Sequence, residues 1–154
     1  MGIRARIFLL IFLSLSISIT ISYIIAERDL TKTFEEQILD QLEKQASLLV
    51  EYIDEVDALE IKNNADSIAD RFGNASNSRV TLILNNGKVI GDSYIDEKEL
   101  SQLDDHSTRE EFIEALKYGF GWSSRYSASV KQQQLYFAVR DNNEVSPNII
   151  RIAV

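Results

Sequence analysis

Cysteine is absent from this 154-residue chain, and proline, histidine, tryptophan and methionine occur once each. Without cysteine there is no disulfide and no thiolate metal site. An exported domain can lack disulfides where its core suffices, so the compartment has to be read from other features. A single histidine, His106, falls short of a two-histidine metal site or an HExxH helix, and its surroundings do not supply a Ser-His-Asp triad. The six glycines form no phosphate loop, since Gly87 and Gly91 lack the following Gly-Lys. Basic residues are scarce after Ala26: 14 against 24 acidic ones, a formal charge of −10. That balance argues against nucleic acid, which needs a basic footprint, and against docking on an anionic lipid surface. The acid pairs Asp104/Asp105 and Glu110/Glu111 read as solvated carboxylates. No catalytic residue, metal or cofactor is expected.

What the chain does have is an uncharged run over residues 7–26, preceded by Arg4 and Arg6 and followed at once by Glu27, Arg28 and Asp29. A helix of this length spans roughly 30 Å, the thickness of a bilayer's hydrocarbon core. A cleaved signal peptide would have a shorter apolar region and small residues before the cut, where this chain has Ile24 and Ile25. Ser14, Ser16, Ser18, Thr20 and Ser22 alternate with apolar residues as in a strand, but a lone strand leaves its backbone unsatisfied in lipid. The reading is therefore an uncleaved anchor helix, with the hydroxyl residues suited to helix–helix contact. The two arginines place its N-terminus in the cytoplasm and residues 27–154 outside the cell or inner membrane.

Beyond the anchor, Leu30, Phe34, Ile38, Leu42, Ala46, Leu49, Ile53 and Val56 recur at helical spacing. The stripe suits a two-helix seam near the membrane and domain packing further on, so a homodimer through this helix is expected. A second helix carries Ile61, Ala65, Ile68, Ala69 and Phe72 and is expected to stop at Gly73. From Arg79 the period changes to two, and Asn86-Gly87 predicts a hairpin closed by a type I′ turn, with residues 88–93 returning. Residues 96–105 read as a loop with a helical turn. Ser107-Thr108-Arg109-Glu110 reads as a capping box opening a helix that buries Phe112, Ala115 and Leu116 and ends at Gly119. Three strands follow, at 121–127, 135–140 and 149–154, joined by a turn over 130–134 and a connection over 141–148. The order gives an α+β domain with a five-stranded antiparallel sheet and segregated helices. We divide the chain into an anchor (1–26), a signalling and dimerisation helix (27–60) and a sensor domain (61–154). Because it ends within a strand, it is expected to be the N-terminal part of a longer protein.

One segment differs in kind. Gly121 to Ser127 collects the single tryptophan, an arginine, a tyrosine and three serines, with Trp122, Ser124 and Tyr126 on one face and Ser123, Arg125 and Ser127 on the other. Tyr136 is placed to reach across from the next strand. Aromatic surface with hydroxyls and a guanidinium suits a small anionic or polar ligand, so Trp122, Ser124, Arg125, Tyr126 and Tyr136 are candidate binding residues. The alternative places Trp122 and Tyr126 in the core and pairs Arg125 with a surface acid. His106 and Arg109, just before the third helix, either brace their loop or join the same site.

The ordered series Val80-Thr-Leu-Ile, Asn86-Gly87-Lys-Val, Gly91-Asp-Ser93, His106-x-x-Arg109-x-Glu-Phe112, Gly119-Phe-Gly121, Ser124-Arg-Tyr-Ser127 and Tyr136-Phe-Ala-Val139 resembles the extracytoplasmic PAS-like (PDC/Cache-type) sensor region of phosphate-regulon-type sensor histidine kinases. The resemblance covers residues 79–154, and the anchor and long helix suit the same layout. It implies an input module of a two-component system that responds to a small molecule or a protein signal. Its output would be histidine autophosphorylation and transfer to a response regulator, through kinase domains these residues do not include. His106 lacks the Glu-x-x-x-Pro context of a phosphoacceptor. A chemoreceptor or cyclase would use the same input, and a membrane-anchored coiled-coil scaffold without a ligand is the competing class.

Overall fold

A computed structural model describes residues 2–56, 58–127, 131–141 and 147–154, which fall into two compact units, Met1–Ile38 and Leu39–Val154. The first unit is helical throughout as part of α1 (Ile3–Glu55), the helix among the described residues that is long and apolar enough to cross a membrane. Its hydroxyls turn back on the helix: Ser16 and Thr20 donate to the carbonyls of Phe12 and Ser16 at 2.9 Å, and Ser14 to that of Ile11 at 2.9 Å. The apolar segment thus carries these polar groups already paired, as a lipid environment demands. Leu30, Phe34 and Ile38 remain exposed on this unit.

The second unit is a five-stranded antiparallel sheet in the order β2-β1-β5-β4-β3, built from β1 (Arg79–Ile83), β2 (Val89–Asp92), β3 (Phe120–Ser127), β4 (Gln132–Arg140) and β5 (Ile149–Ala153). The α+β expectation holds, and β5 lies at the sheet's centre, between β1 and β4. Strand alternation divides the residues between two faces. On one face Val80, Leu82, Leu135, Phe137, Ile150 and Ile152 meet Leu42, Ala46, Leu49 and Ile53 of α1. They also meet Ile61, Ala65, Ile68 and Ala69 of α2 (Ala58–Ser76). On the other face Ile83, Val89, Ala138 and Ile149 pack with Phe112 and Ala115 of α3 (Glu110–Tyr118), next to a 3₁₀ turn at Glu97–Gln102. This second cluster fills only half of its face; the other half is polar and holds the candidate site.

Four local expectations need correction. The Asn86-Gly87 hairpin is real but not type I′, since Gly87 has φ 83° while Asn86 is not among the residues with positive φ. The Gly87 N–H donates to the Leu84 carbonyl at 2.8 Å and the Leu84 N–H to the Lys88 carbonyl at 2.9 Å, a turn over Asn85-Asn86 closed by a left-handed glycine. The second helix does not stop at Gly73. It kinks at Asn64 (φ −126°), continues to Ser76 and ends where Asn77 turns left-handed with φ 51°. Glycine is needed at 73 for a different reason, because a Cβ there would collide with the Ser93 side chain. The capping box does not form. Arg109 is the N-cap and makes no side-chain cap bond, while the Ser107 hydroxyl donates instead to the Asp105 carboxylate at 2.8 Å. Glu110 and Glu111 in the first turn supply the favourable charge there. Finally, β4 begins at Gln132, inside the stretch expected to be a turn. Val130 and residues 142–146 of the other expected connection lie outside the described residues.

Candidate ligand-binding site

Polar residues line up across the second face of the sheet by strand register. Arg79 and Thr81 occupy the β1 positions that alternate with Val80 and Leu82. Arg151 on β5 stands opposite Thr81, and Tyr136 on β4 stands opposite Ser123 on β3. A cavity of about 190 Å³ opens here, the room of roughly six water molecules at about 30 Å³ each. The sheet lines it with Arg79, Arg125, Tyr126, Ser127, Tyr136 and Arg151. The segment before α3 closes it with Leu103, Asp104, His106 and Arg109.

Four guanidinium groups in so small a space require counter-charges, and two buried carboxylates supply part of them. Asp92 takes the Arg79 Nε–H at 2.9 Å and the Thr81 hydroxyl at 2.8 Å, and Thr81 in turn accepts from Arg151 Nη2 at 3.0 Å. Glu111, fully buried on α3, accepts from Arg125 Nη1 and Nη2 at 2.6 and 2.9 Å, from the Ser123 hydroxyl at 2.7 Å and from Arg151 Nη1 at 3.5 Å. Glu111 is thus not the solvated acid its neighbour Glu110 suggested. Burial alone would raise its carboxyl, but the Arg125 and Ser123 hydrogen bonds and the charge of Arg151 together hold it below the usual range. Burial pushes the Arg151 guanidinium down to about 10, still protonated at neutral pH. Tyr136 lies between two cations, with Arg125 Cζ 3.7 Å and Arg151 Cζ 5.2 Å from its ring centroid.

The ledger of charge does not close. Asp92 and Glu111 bring two negative charges to four arginines, and among the described residues the one acid in the lining itself is Asp104, which is exposed. Arg109 and Arg151 each keep a buried Nε with no hydrogen-bond partner among the described residues. His106, only 6% exposed, donates from Nδ1 to the Asp104 carbonyl at 2.7 Å. Burial and then the charge of Arg151, with smaller contributions from Arg109 and Arg79, bring its pKa down to about 4, against the opposing effect of that hydrogen bond. The site therefore offers excess positive charge, unpaired N–H donors, an aromatic wall and a neutral imidazole.

Of the residues singled out from sequence, His106, Arg109, Arg125, Tyr126 and Tyr136 come together at this cavity. Trp122 and Ser124 do not line it. They point to the opposite side of edge strand β3, where Trp122 is 46% exposed, so neither it nor the exposed Tyr126 is a core residue, and the acid paired with Arg125 is a buried one. Sequence reasoning missed Arg79, Arg151 and Glu111. Arg151 was visible as a lone charge inside Ile-Ile-Arg-Ile-Ala, and Glu111 sits four residues before the inward Ala115, on the same helical face.

A family model described as Single Cache-like matches residues 32–149. No curated protein matches the chain. Among solved structures, the ligand-binding domain of the Campylobacter jejuni chemoreceptor Tlp3 in complex with 4-methylisoleucine is similar with a TM-score of 0.61 and 19% identity, over 82% of this chain and 56% of that one. The sensory domain of the same receptor with isoleucine bound gives 0.61 and 20%, over 82% and 56%. The Vibrio cholerae histidine kinase DctB sensor domain gives 0.49 and 12%, over 79% and 55%. The likeness to Tlp3 is one of fold, and this chain spans little more than half the length of those receptor domains.

Proposed function

The chain belongs to the single Cache-like family, and from that premise we propose that it is the extracytoplasmic input module of a membrane receptor that senses a small anion in the arginine-lined cavity. The observation that carries this reading is the unbalanced charge of the site, four guanidinium groups against two buried carboxylates. An anion of one or two charges supplies what the fold leaves out, and guanidinium forks are the natural partners of carboxylate and phosphate. The cavity also separates this reading from a pure scaffold, which has no use for four arginines gathered around two carboxylates.

The test is thermal unfolding of the full chain in detergent against inorganic phosphate, short mono- and dicarboxylates, and glycerol as a neutral control. A ligand of the folded state at a hundred times its Kd contributes about 2.7 kcal/mol and raises the midpoint accordingly. Arg109 belongs to no ion pair among the described residues, so Arg109→Ala removes cavity charge without breaking one. The expected result is a midpoint rise with an anion and not with glycerol, and at least a tenfold weaker response in Arg109→Ala. A flat panel sinks the reading.

The anchor is proposed to run with Arg4 and Arg6 in the cytoplasm, as the positive-inside tendency favours. The output in the parent protein is proposed to be a phosphate-regulon-type histidine kinase acting on a response regulator. The same input would serve a chemoreceptor such as Tlp3, and the two are told apart by whether the parent autophosphorylates on histidine. A homodimer through α1 is the proposed quaternary form, since Leu30, Phe34 and Ile38 are exposed at helical spacing beside the anchor. The absence of native cysteine makes this directly testable. Phe34→Cys is expected to form an intermolecular disulfide in membranes under mild oxidation, whereas Lys32→Cys, off the stripe, is not; equal cross-linking of the two removes the seam.

A further inference from the structure

Building on that reading of the cavity, we propose that His106 makes the site selective for hydroxy carboxylates over the matching plain and amino carboxylates. The argument starts from the tautomer. The partner of His106 Nδ1 is the Asp104 carbonyl oxygen at 2.7 Å, which can only accept, so Nδ1 carries the hydrogen and Nε2 presents a lone pair. The ring makes no other hydrogen bond among the described residues, and His106 is one of the residues that line the cavity. The guanidinium groups around it are donors only.

A plain carboxylate consists of acceptors and apolar carbon. It satisfies the arginines and leaves Nε2 facing nothing that can donate. A hydroxyl on the neighbouring carbon supplies that donor, and an acceptor that the bound ligand shuts off from water discriminates against analogues lacking the donor. An ammonium group also donates, but the strongest charges acting on His106 are Arg151, Arg109 and Arg79, all positive, and the neighbouring Asp105 carboxylate counts for less. A second cation there is repelled, whereas a neutral O–H is not. Burial keeps the imidazole neutral at pH 7, so the acceptor is present under ordinary conditions.

The experiment uses matched ligands on the full chain in detergent: L-lactate, propanoate and L-alanine, then L-malate, succinate and L-aspartate, with Kd from titration calorimetry at pH 7. The expected result is that the hydroxy acid of a set binds roughly tenfold or more tighter than its plain and amino counterparts. In His106→Phe the ratio of hydroxy to plain acid falls toward one, and in His106→Gln, which keeps an acceptor, part of it returns. A plain acid that binds as tightly as the hydroxy acid in the unaltered protein overturns the inference and leaves the anion-sensing reading standing. An amino acid that binds tightest overturns it too. If no member of either set binds, the inference falls, and the anion-sensing reading is then decided separately by the phosphate titration.

Discussion

Glu111→Ala is expected to lower the stability of the sensor domain by about 3–5 kcal/mol, the range for removing one partner of a buried charge pair. The reason is how much rests on this one carboxylate. It is fully buried, takes both terminal nitrogens of Arg125, accepts the Ser123 hydroxyl and stands 3.5 Å from Arg151. Without it, Arg151, itself 2% exposed, keeps the Thr81 hydroxyl as a hydrogen-bond partner and only the more weakly acting Asp92 carboxylate as a counter-charge. The substitution also removes one of the polar ties between α3 and the strands β3 and β5. Urea unfolding of the full chain at pH 7 measures the loss. Pairing Glu111→Ala with Arg151→Met identifies its origin: if the cost is an orphaned charge, the double variant loses clearly less than the sum of the two single ones. A loss near or below about 1 kcal/mol, the worth of an exposed pair, means that the carboxylate is solvated and the network is not a buried one.

The same arrangement explains what sequence could and could not convey. The five strands were legible because Val80/Leu82, Leu135/Phe137 and Ile150/Ile152 keep a period of two, and a period survives whatever packs on it. Turn and cap chemistry was less legible. Asn86-Gly87 marks a hairpin, but a left-handed conformation at Gly87 alone suffices when the loop is one residue longer, and nothing local distinguishes the two. Ser107 had two partners available, the helix N–H groups and Asp105, and the adjacent aspartate won. Gly73 reads as a stop only until the approach of Ser93 is known, which depends on a strand twenty residues away.

For the site, periodicity sorted β3 into its two faces, yet it carries no sign saying which face turns inward. That was decided by Glu111 of α3 binding Ser123 and Arg125, and by the place of β3 at the sheet edge, which leaves Trp122 and Tyr126 largely exposed. Of the aromatic residues, Trp122 drew attention to the wrong side of the strand. The more reliable clue was electrostatic: a charge such as Arg151 inside a run of apolar β-residues has to be answered by something. Here the answer, Glu111, comes from 40 residues away along the chain.

Stability of the domain is expected to fall by about 2 kcal/mol between pH 7 and pH 5 on account of His106 alone. Its pKa in the folded protein is about 4, lowered from 6.5 first by burial and then by the charge of Arg151, with Arg109 and Arg79 adding to the effect and the Asp104 carbonyl opposing it. In that window the unfolded chain takes up a proton that the folded chain refuses, so acid favours unfolding. The penalty begins as pH falls below 6.5 and is complete near 4. Glu111, whose carboxyl is lowered, adds its own loss only at lower pH, and Asp66, raised by burial, acts in the opposite sense there, which is why the upper window isolates the histidine. Urea midpoints of the full chain at intervals from pH 7 to pH 5 give the slope, and His106→Phe, with nothing to titrate, is expected to flatten it. Comparing slopes rather than absolute stabilities removes whatever the substitution does to packing. If both proteins show the same slope, the imidazole takes up its proton as readily folded as unfolded. It would then be a donor below neutrality, set among four arginines, and the hydroxyl of a hydroxy acid would find no lone pair to meet in that range.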